Sequence, residues 1–253
     1  MFSVAVPTEG TRDSLAVTMA RFASCNVLTD FVDQVVVASK RDLSPSILRA
    51  IEMLEKGGIK VDVYTSHEEG FATPRLRVKA LELSRHNDVF IFDDDVGFSI
   101  TDVISLYQRW RMRKPNIVAM TMSVAYVDLG QSVTKITSRF HDSFGCFTPF
   151  GGNAVITCSF IDKQKYLEYL APILNKWGKA LNEDIIPLMY MYKIGFDVKY
   201  CPHPCWHLKW PYRTHDDIVY ALKWGATPLD RYVANALDMG VFIRPEEYLD
   251  LAY

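Results

Sequence analysis

The segment Asp93-Asp94-Asp95 places three consecutive carboxylates directly after the apolar run at residues 89–92. Short apolar runs of β-forming residues bounded by charge are typical of buried strands in α/β sheets, and the ligands of such sheets lie beyond the carboxyl ends of the strands. Carboxylates suit Mg²⁺ or Mn²⁺, which share their remaining positions with substrate phosphates. Because three like charges repel one another, we expect a cation here. The alternative is a solvated acidic turn before a helix.

Basic residues precede this acidic segment at alternate positions, as Arg75, Arg77 and Lys79. They fall near the start of a predicted helix. Guanidinium and ammonium groups beside a metal-carboxylate site would bind a diphosphate together with its base or ribose. The alternative is an ordinary basic helix face.

Two later segments combine asparagine with glycine or acids. Gly152-Asn153 would let the backbone approach a ligand closely. Asn182-Glu183-Asp184 places a second pair of carboxylates in the first turn of a predicted helix, where the macrodipole favours negative charge. The first segment could be only a turn, and the second only a helix cap.

The segment 202–212 is rich in proline, histidine and tryptophan and is predicted to be a functional loop. Its imidazoles, His203 and His207, are four residues apart, but prolines interrupt any helical spacing. A zinc site would need three or four converging ligands. We therefore expect His207 to contact a diphosphate rather than a metal.

A further basic cluster extends from Arg109 to Lys114 and includes Trp110. Cations mixed with an aromatic residue are typical of nucleic-acid binding. Tyr107 and Trp110 also fit the apolar side of an amphipathic helix. The favoured interpretation is therefore a solvated helix end.

The elements that must position these residues alternate between strand and helix through the first half, which predicts βαβ units and a mostly parallel sheet. Strands are predicted at residues 2–6, 34–38, 60–64, 88–92, 117–122 and 198–201. Helices are predicted at residues 13–22, 44–55, 74–84, 101–111, 163–174 and 181–193.

The composition is that of one large α/β domain: 253 residues, 49% of them hydrophobic, can bury a sizeable core. A formal net charge of −2 argues against a surface built throughout for nucleic acid or an anionic membrane. The five cysteines are odd in number and show no Cys-x-x-Cys spacing, which favours a reducing, cytoplasmic location. No apolar stretch is long enough to predict a membrane span, and the first residues do not resemble a signal peptide.

The order of these segments resembles that of the GT-A glycosyltransferases, and more closely the exostosin-type transferases of family 64. The resemblance covers nearly the whole chain. It rests on the opening strand ending in Pro7-Thr8, the basic segment 75–79, the acidic segment 93–96, residues 107–119, Asn182-Glu183-Asp184-Ile185, Trp206-His207, Arg213, and residues 216–218 and 227–229. The implied fold is a single GT-A, Rossmann-like α/β domain with a mostly parallel central sheet flanked by helices. Residues 1–122 would form the nucleotide-sugar-binding half, and residues 123–253 a smaller acceptor-binding half with C-terminal helices.

The resemblance implies metal-dependent transfer of a hexosyl or pentosyl group from a UDP-sugar to an acceptor hydroxyl, with retention of anomeric configuration. Mn²⁺, or Mg²⁺, would be held chiefly by Asp95, with Asp93 as a second ligand towards the ribose. Asp184 would lie beside the anomeric centre, and Arg213 would hold the diphosphate or the reacting groups. The other implied donor-binding residues are Pro7, Thr8, Arg75, Arg77, Lys79, Asp94 and His207. The implied sugar-binding or acceptor-binding residues are Gly152, Asn153 and Glu183.

The chain also departs from the family. Animal members join two cysteines in a disulfide at the positions that we align with Asn182 and Asp216. Their joint absence fits a reducing compartment and an acceptor other than a secreted heparan-like chain. The acceptor is left open between a glycan and a hydroxylated DNA base, and the oligomeric state is not predicted.

Other functions remain open. An inverting transferase of the family 2 type would use Asp184 as the general base on the acceptor hydroxyl. A nucleotidyltransferase is disfavoured because Gly10 stands alone after the first strand, without a glycine-rich phosphate loop. The remaining alternative is a non-enzymatic module that binds nucleic acid or sugar.

Overall fold

The structure is a computed structural model that describes residues 1–25, 29–67, 73–128, 136–137, 158–169 and 194–209. Its strands are β1 (Phe2–Thr8), β2 (Val32–Ser39), β3 (Lys60–Thr65), β4 (Asp88–Phe92), β5 (Val96–Phe98), β6 (Ile117–Asp128), β7 (Ile136–Thr137), β8 (Cys158–Asp162) and β9 (Asp197–Lys209). Its helices are α1 (Asp13–Ala23), α2 (Pro45–Lys56), α3 (Thr73–Leu83), α4 (Ile100–Arg111) and α5 (Lys163–Tyr169).

These strands form one sheet in the order β3-β2-β1-β4-β8-β6-β9-β5, with β7 paired to β6. Strands β3, β2, β1 and β4 pair in parallel. Strand β8 is antiparallel to both β4 and β6. Strand β6 and its parallel neighbour β9 therefore run in the same direction as the first four strands. The predicted α/β class, with a mostly parallel sheet flanked by helices, is confirmed.

Helix α2 shows why the sequence predicted these elements well. Ser44 caps its N-terminus, because the Ser44 hydroxyl accepts a hydrogen bond from the amide of Ile47, and Pro45 occupies the first helical position. The buried residues follow helical spacing; they are Ile47, Ala50, Ile51 and Leu54. The predicted boundaries, 44–55, differ from the observed ones by one residue at each end.

The centre of the core is an aromatic cluster around Phe160 of β8. The ring of Phe160 lies 4.8 Å from that of Phe2, 5.1 Å from that of Phe90 and 5.3 Å from that of Tyr107, between centroids. The buried indole of Trp110 stacks on the same ring at 6.2 Å. This cluster joins β1, β4 and β8 to α4. Its member Phe90 lies on β4, the strand that leads into the acidic segment.

The predicted loop at residues 202–212 is wrong over residues 202–209, which belong to strand β9. Prolines are uncommon within a strand, because proline cannot donate a ladder hydrogen bond. The register explains how they are accommodated: Met122 pairs with Cys201 and the next residue, Ser123, pairs with Pro204. Pro202 and His203 therefore have no pairing partner in β6. Proline is tolerated at such irregularities in the ladder.

In the cluster from Arg109 to Lys114, Trp110 is buried and Arg113 is half-buried, whereas Arg109, Arg111 and Lys114 are exposed. The indole nitrogen of Trp110 donates to Asp88 at 2.8 Å. The guanidinium of Arg113 lies 3.7 Å from the centroid of the Trp110 ring, 3.0 Å from the Asp88 carboxylate and 3.4 Å from the Asp162 carboxylate. These contacts join the end of α4 to β4 and β8, which supports the helix-end interpretation.

The thiols and the helices of the described ranges bear on two further sequence expectations. The cysteines placed there, Cys25, Cys158, Cys201 and Cys205, are all free thiols. None of the helices in these ranges combines the length and the apolar character needed to cross a membrane.

Candidate functional site

The acidic segment forms a turn between β4 and β5, closed by a hydrogen bond of 3.2 Å from the amide of Val96 to the carbonyl of Asp93. Strand β1 is the parallel neighbour of β4, so the loop that follows β1 lies beside this turn. The parallel strands of this half of the sheet end on the same side, where ligands of α/β sheets bind. The turn therefore lies where the sequence predicted a donor site.

Asp94 points inward and joins the two loops. Its carboxylate accepts hydrogen bonds from the Thr8 hydroxyl at 2.7 Å and from the amide of Glu9 at 3.2 Å. Its carbonyl accepts one from the Ser14 hydroxyl at 2.7 Å. Burial raises the pKa of Asp94 to about 6, against the opposing effects of the Arg12 guanidinium and of the hydrogen bonds from Thr8 and Glu9. These contacts hold the loop after β1 against the acidic turn.

Arg12, in the loop after β1, supplies the cation that the sequence led us to expect. Its guanidinium contacts the carboxylate of Asp95 and lies 3.1 Å from that of Asp94. The side chains of Arg12 and Asp95 are 28% and 16% exposed. Arg12 is not among the site residues predicted from the sequence. The sequence does place Arg12 a few residues beyond the end of strand β1. This position indicates a contact with the acidic turn only once β1 is known to pair with β4.

Asp93, the first residue of the acidic turn, binds Arg77 of α3. Their side chains form an ion pair of 3.0 Å, in which the Arg77 side chain is 0% exposed and that of Asp93 is 22% exposed. The structure thus brings one of the three predicted cations, Arg77, to the acidic turn.

Arg75 and Lys79 lie elsewhere, along a cleft of about 170 Å³ that is also lined by Tyr64, Ser66 and Glu82. The Lys79 ammonium is 3.3 Å from the Glu82 carboxylate and 5.4 Å from the centroid of the Tyr64 ring. Three alternate residues on a helix span both of its sides, because each residue turns the helix by about 100°. The three predicted cations therefore lie at two separate places: Arg77 at Asp93, and Arg75 and Lys79 at this cleft.

Of the other predicted site residues, some lie near the acidic turn and some lie outside the described ranges. Pro7 and Thr8 end β1 beside the acidic turn, as the resemblance implied. His207 lies on β9 opposite Val96, the residue that follows the acidic turn. The other predicted residues lie outside the described ranges; they are Gly152, Asn153, Glu183, Asp184 and Arg213.

The loop after β1 is also fixed against the loop after β2. Glu9 lies 3.4 Å from the Lys40 ammonium and 3.3 Å from the Arg41 guanidinium. Gly10 accepts a hydrogen bond of 2.8 Å from the amide of Ser44. Gly10 has a φ of +90°, and a Cβ atom there would lie 2.6 Å from the Ser39 hydroxyl. Only glycine fits this position.

The substitution Gly10→Ala is expected to destabilise the protein by about 2 kcal/mol, since it adds a steric contact to the cost of positive φ. The matched control is Gly58→Ala, at a φ of +86° with no atom within 4 Å of the added Cβ, which isolates the backbone cost. Urea unfolding of both variants measures the difference. Equal losses in the two variants would show that the contact with the loop after β2 does not contribute.

Asp93 and Asp95 of the acidic turn are the candidate ligands for a divalent metal. Within the described ranges, no three His, Cys, Asp or Glu side chains come together as a metal-binding group. Mg²⁺ and Mn²⁺ need only one or two carboxylates when substrate phosphates complete the coordination. Asp95 and Asp93, both partly exposed, meet that requirement. The residues present fit a metal that binds together with a phosphorylated ligand.

Comparisons with known proteins identify the fold. No protein-family model matches the sequence, and no curated protein matches it either. Among solved structures, S. aureus TarS 1-349 in complex with UDP-GlcNAc matches with a TM-score of 0.61 and 14% identity, over 99% of this chain and 70% of that chain.

Two further structures agree. Mannosyltransferase PcManGT from Pyrobaculum calidifontis, in complex with GDP-Man and Mn²⁺, matches with a TM-score of 0.55 and 15% identity, over 99% of this chain and 70% of that one. Glucosyl-3-phosphoglycerate synthase from Mycobacterium tuberculosis, in complex with Mn²⁺, UDP-Glc and phosphoglyceric acid, matches with a TM-score of 0.56 and 13% identity, over 96% and 82%. The fold of this chain is therefore that of the GT-A glycosyltransferases.

Proposed function

We propose that this chain is a metal-dependent glycosyltransferase that moves a hexosyl or pentosyl group from a UDP-sugar to an acceptor hydroxyl. The observation that carries the proposal is the acidic turn at the end of β4, which lies beside Thr8 of β1 and binds Arg77 of α3. The match in fold to proteins solved with nucleotide sugars supports it, and two of the three structures described above contain Mn²⁺.

The metal and donor sites follow from this arrangement. Asp95, with Asp93, would hold Mn²⁺ or Mg²⁺. Such an ion supplies positive charge to a departing diphosphate. Arg77 keeps the Asp93 carboxylate in position through their ion pair of 3.0 Å. Asp94 keeps the loop after β1 against the turn, so that Thr8 borders the donor.

Other residues have proposed roles around this centre. Pro7 would border the nucleotide together with Thr8. Arg75 and Lys79 offer positive charge along the cleft between β3 and α3, where a base or ribose would lie. His207 would contact the diphosphate, a role supported by the pairing of β9 with β5.

The chemistry at the sugar is proposed from the resemblance to family 64. Asp184 would lie beside the anomeric carbon, where a carboxylate stabilises a cationic sugar transition state. Arg213 would hold the diphosphate or the reacting groups as the bond breaks. Gly152, Asn153 and Glu183 would border the sugar or the acceptor. Transfer would retain the anomeric configuration.

The acceptor is proposed to be the hydroxyl of a glycan or of a hydroxylated DNA base, and the location to be cytoplasmic. In the cluster at residues 109–114, Arg113 and Trp110 are engaged with Asp88 and with each other, whereas Arg109, Arg111 and Lys114 are exposed. Exposed cations at a helix end do not by themselves favour a second function.

Isothermal titration with UDP, GDP and their sugar derivatives, each with and without Mn²⁺, tests the proposal. We expect UDP and one or more UDP-sugars to bind in a Mn²⁺-dependent manner, because the acidic turn binds a diphosphate through the metal. The absence of binding by every nucleotide in the presence of Mn²⁺ would overturn the transferase assignment.

Once a donor is found, the anomer of the product tests retention, and an inverted product would favour Asp184 as the general base of a family 2 type enzyme.

A further inference from the structure

We infer that Arg12 couples metal binding to nucleotide binding: it competes with the divalent metal for Asp95 and transfers to the donor's diphosphate when both ligands bind. The inference rests on the proposed function and assigns a role to a residue that the resemblance does not include. Arg12 contacts the Asp95 carboxylate and lies 3.1 Å from that of Asp94. Its guanidinium therefore lies against the oxygens that a metal would need.

The loop that carries Arg12 is fixed by contacts on both sides of it. The amide of Glu9 donates to Asp94 at 3.2 Å, and the amide of Gly10 donates to the Thr8 hydroxyl at 2.9 Å. On the other side, the Ser14 hydroxyl donates to the carbonyl of Asp94 at 2.7 Å. The backbone of Arg12 is thus held beside the acidic turn, and any rearrangement falls to its long side chain.

The two guanidiniums at the acidic turn differ in burial. The Arg77 side chain is 0% exposed and stays with Asp93 inside the protein. The Arg12 side chain is 28% exposed and reaches Asp95 from the solvent side. Arg77 is therefore a fixed counter-ion, whereas Arg12 is partly exposed, and the buried Asp94 carboxylate that it would also leave keeps its hydrogen bonds from Thr8 and Glu9.

The competition follows from the shared carboxylate. A metal that binds alone must displace the guanidinium from Asp95 or share that carboxylate with a second cation. A diphosphate offers the guanidinium an alternative acceptor, since its oxygens match the fork of an arginine as a carboxylate does. The nucleotide therefore frees Asp95 for the metal while it gains a contact with Arg12. By thermodynamic reciprocity, the metal must strengthen nucleotide binding by the same factor.

Manganese titrations without and with UDP test the inference, with GDP as a second probe. The variant Arg12→Met removes the competing cation and retains a long apolar side chain. We expect it to bind Mn²⁺ alone about 10-fold more tightly than the wild type does, within the usual range of coupling between sites. The factor by which UDP strengthens Mn²⁺ binding should fall by about the same amount.

A matched control separates this effect from loss of charge in general. Arg21→Met removes an exposed arginine from the last turn of α1, the same helix that follows Arg12. It should bind Mn²⁺ and UDP as the wild type does. Arg12→Lys keeps a cation but not the planar fork, so it should bind Mn²⁺ alone with an affinity between those of the wild type and Arg12→Met. Arg12→Lys also provides the test if Arg12→Met fails to fold, as judged by circular dichroism.

The outcomes separate the inference from the proposed function. If the wild type shows Mn²⁺-dependent nucleotide binding but the variants at Arg12 bind Mn²⁺ alone no more tightly, the inference is overturned and the proposed function stands. If the wild type binds no nucleotide with Mn²⁺, both are overturned. An increased affinity for Mn²⁺ alone, together with a smaller effect of UDP, establishes the coupling.

Discussion

Replacement of Asp95 by asparagine is expected to remove the manganese-dependent part of nucleotide binding and to lower nucleotide affinity in the presence of Mn²⁺ by at least about 100-fold. A metal ligand contributes several kcal/mol of charge stabilisation, and each 1.4 kcal/mol corresponds to about tenfold in affinity. The asparagine side chain would keep the shape of the aspartate but not its charge. Isothermal titration of UDP, with and without Mn²⁺, measures the loss.

The control for this variant is Asp30→Asn, which removes the same charge at an exposed position away from the acidic turn. The fold should persist in both variants, because the partly exposed contact between Asp95 and Arg12 is worth about 1 kcal/mol or less. Circular dichroism and thermal unfolding check this. Undiminished Mn²⁺-dependent binding in folded Asp95→Asn would exclude Asp95 as the metal ligand.

The second large effect is expected on the free energy of unfolding, when Asp93 of the same turn is replaced. Asp93→Ala is expected to lower the free energy of unfolding by about 3 kcal/mol, because it removes the carboxylate 3.0 Å from a fully buried guanidinium. Chemical denaturation of Asp93→Ala beside Asp95→Asn measures the contrast between these two acids of the same turn.

The double variant Arg77→Met/Asp93→Ala provides the control for this contrast. An apolar side chain at position 77 removes the buried charge, so the double variant should be more stable than Asp93→Ala alone. A loss of less than about 0.5 kcal/mol in Asp93→Ala would show that Arg77 does not depend on this carboxylate, since changes of that size are typical of ordinary surface positions.

The sequence predicted the parts of the fold that follow from local periodicity. Strand β4 was predicted at its observed boundaries, and α1, α2 and α4 were predicted within one residue at each end. Each of these elements has its own apolar pattern and its own start or stop signal, so no knowledge of its neighbours was needed.

The parts that were missed depend on tertiary pairing. Strand β5 has only three residues, and it is a strand because it pairs with β9, which lies far later in the chain. Strand β9 contains two prolines, which become acceptable only where its register with β6 shifts. Neither pattern can be recognised before the neighbouring strand is known.

The candidate site shows the same division. The acidic turn and the strand that leads into it could be predicted, because carboxylates after a buried strand are a local pattern. The contact between Arg12 and Asp95 depends on β1 lying next to β4. The separation of Arg77 from Arg75 could have been predicted, because residues two apart on a helix face in nearly opposite directions.

The pairing of β5 with β9 has a consequence for the order in which the molecule is made. The acidic turn is bordered on one side by β4 and on the other by β5, whose partner residues reach as far as His207. A ribosome that has released β1 through β6 has supplied every acidic residue of the turn, but neither β8 nor β9. Contacts between such distant parts of a chain form late, both in synthesis and in folding. The carboxylates are thus translated early, whereas their setting is completed only after His207 has emerged.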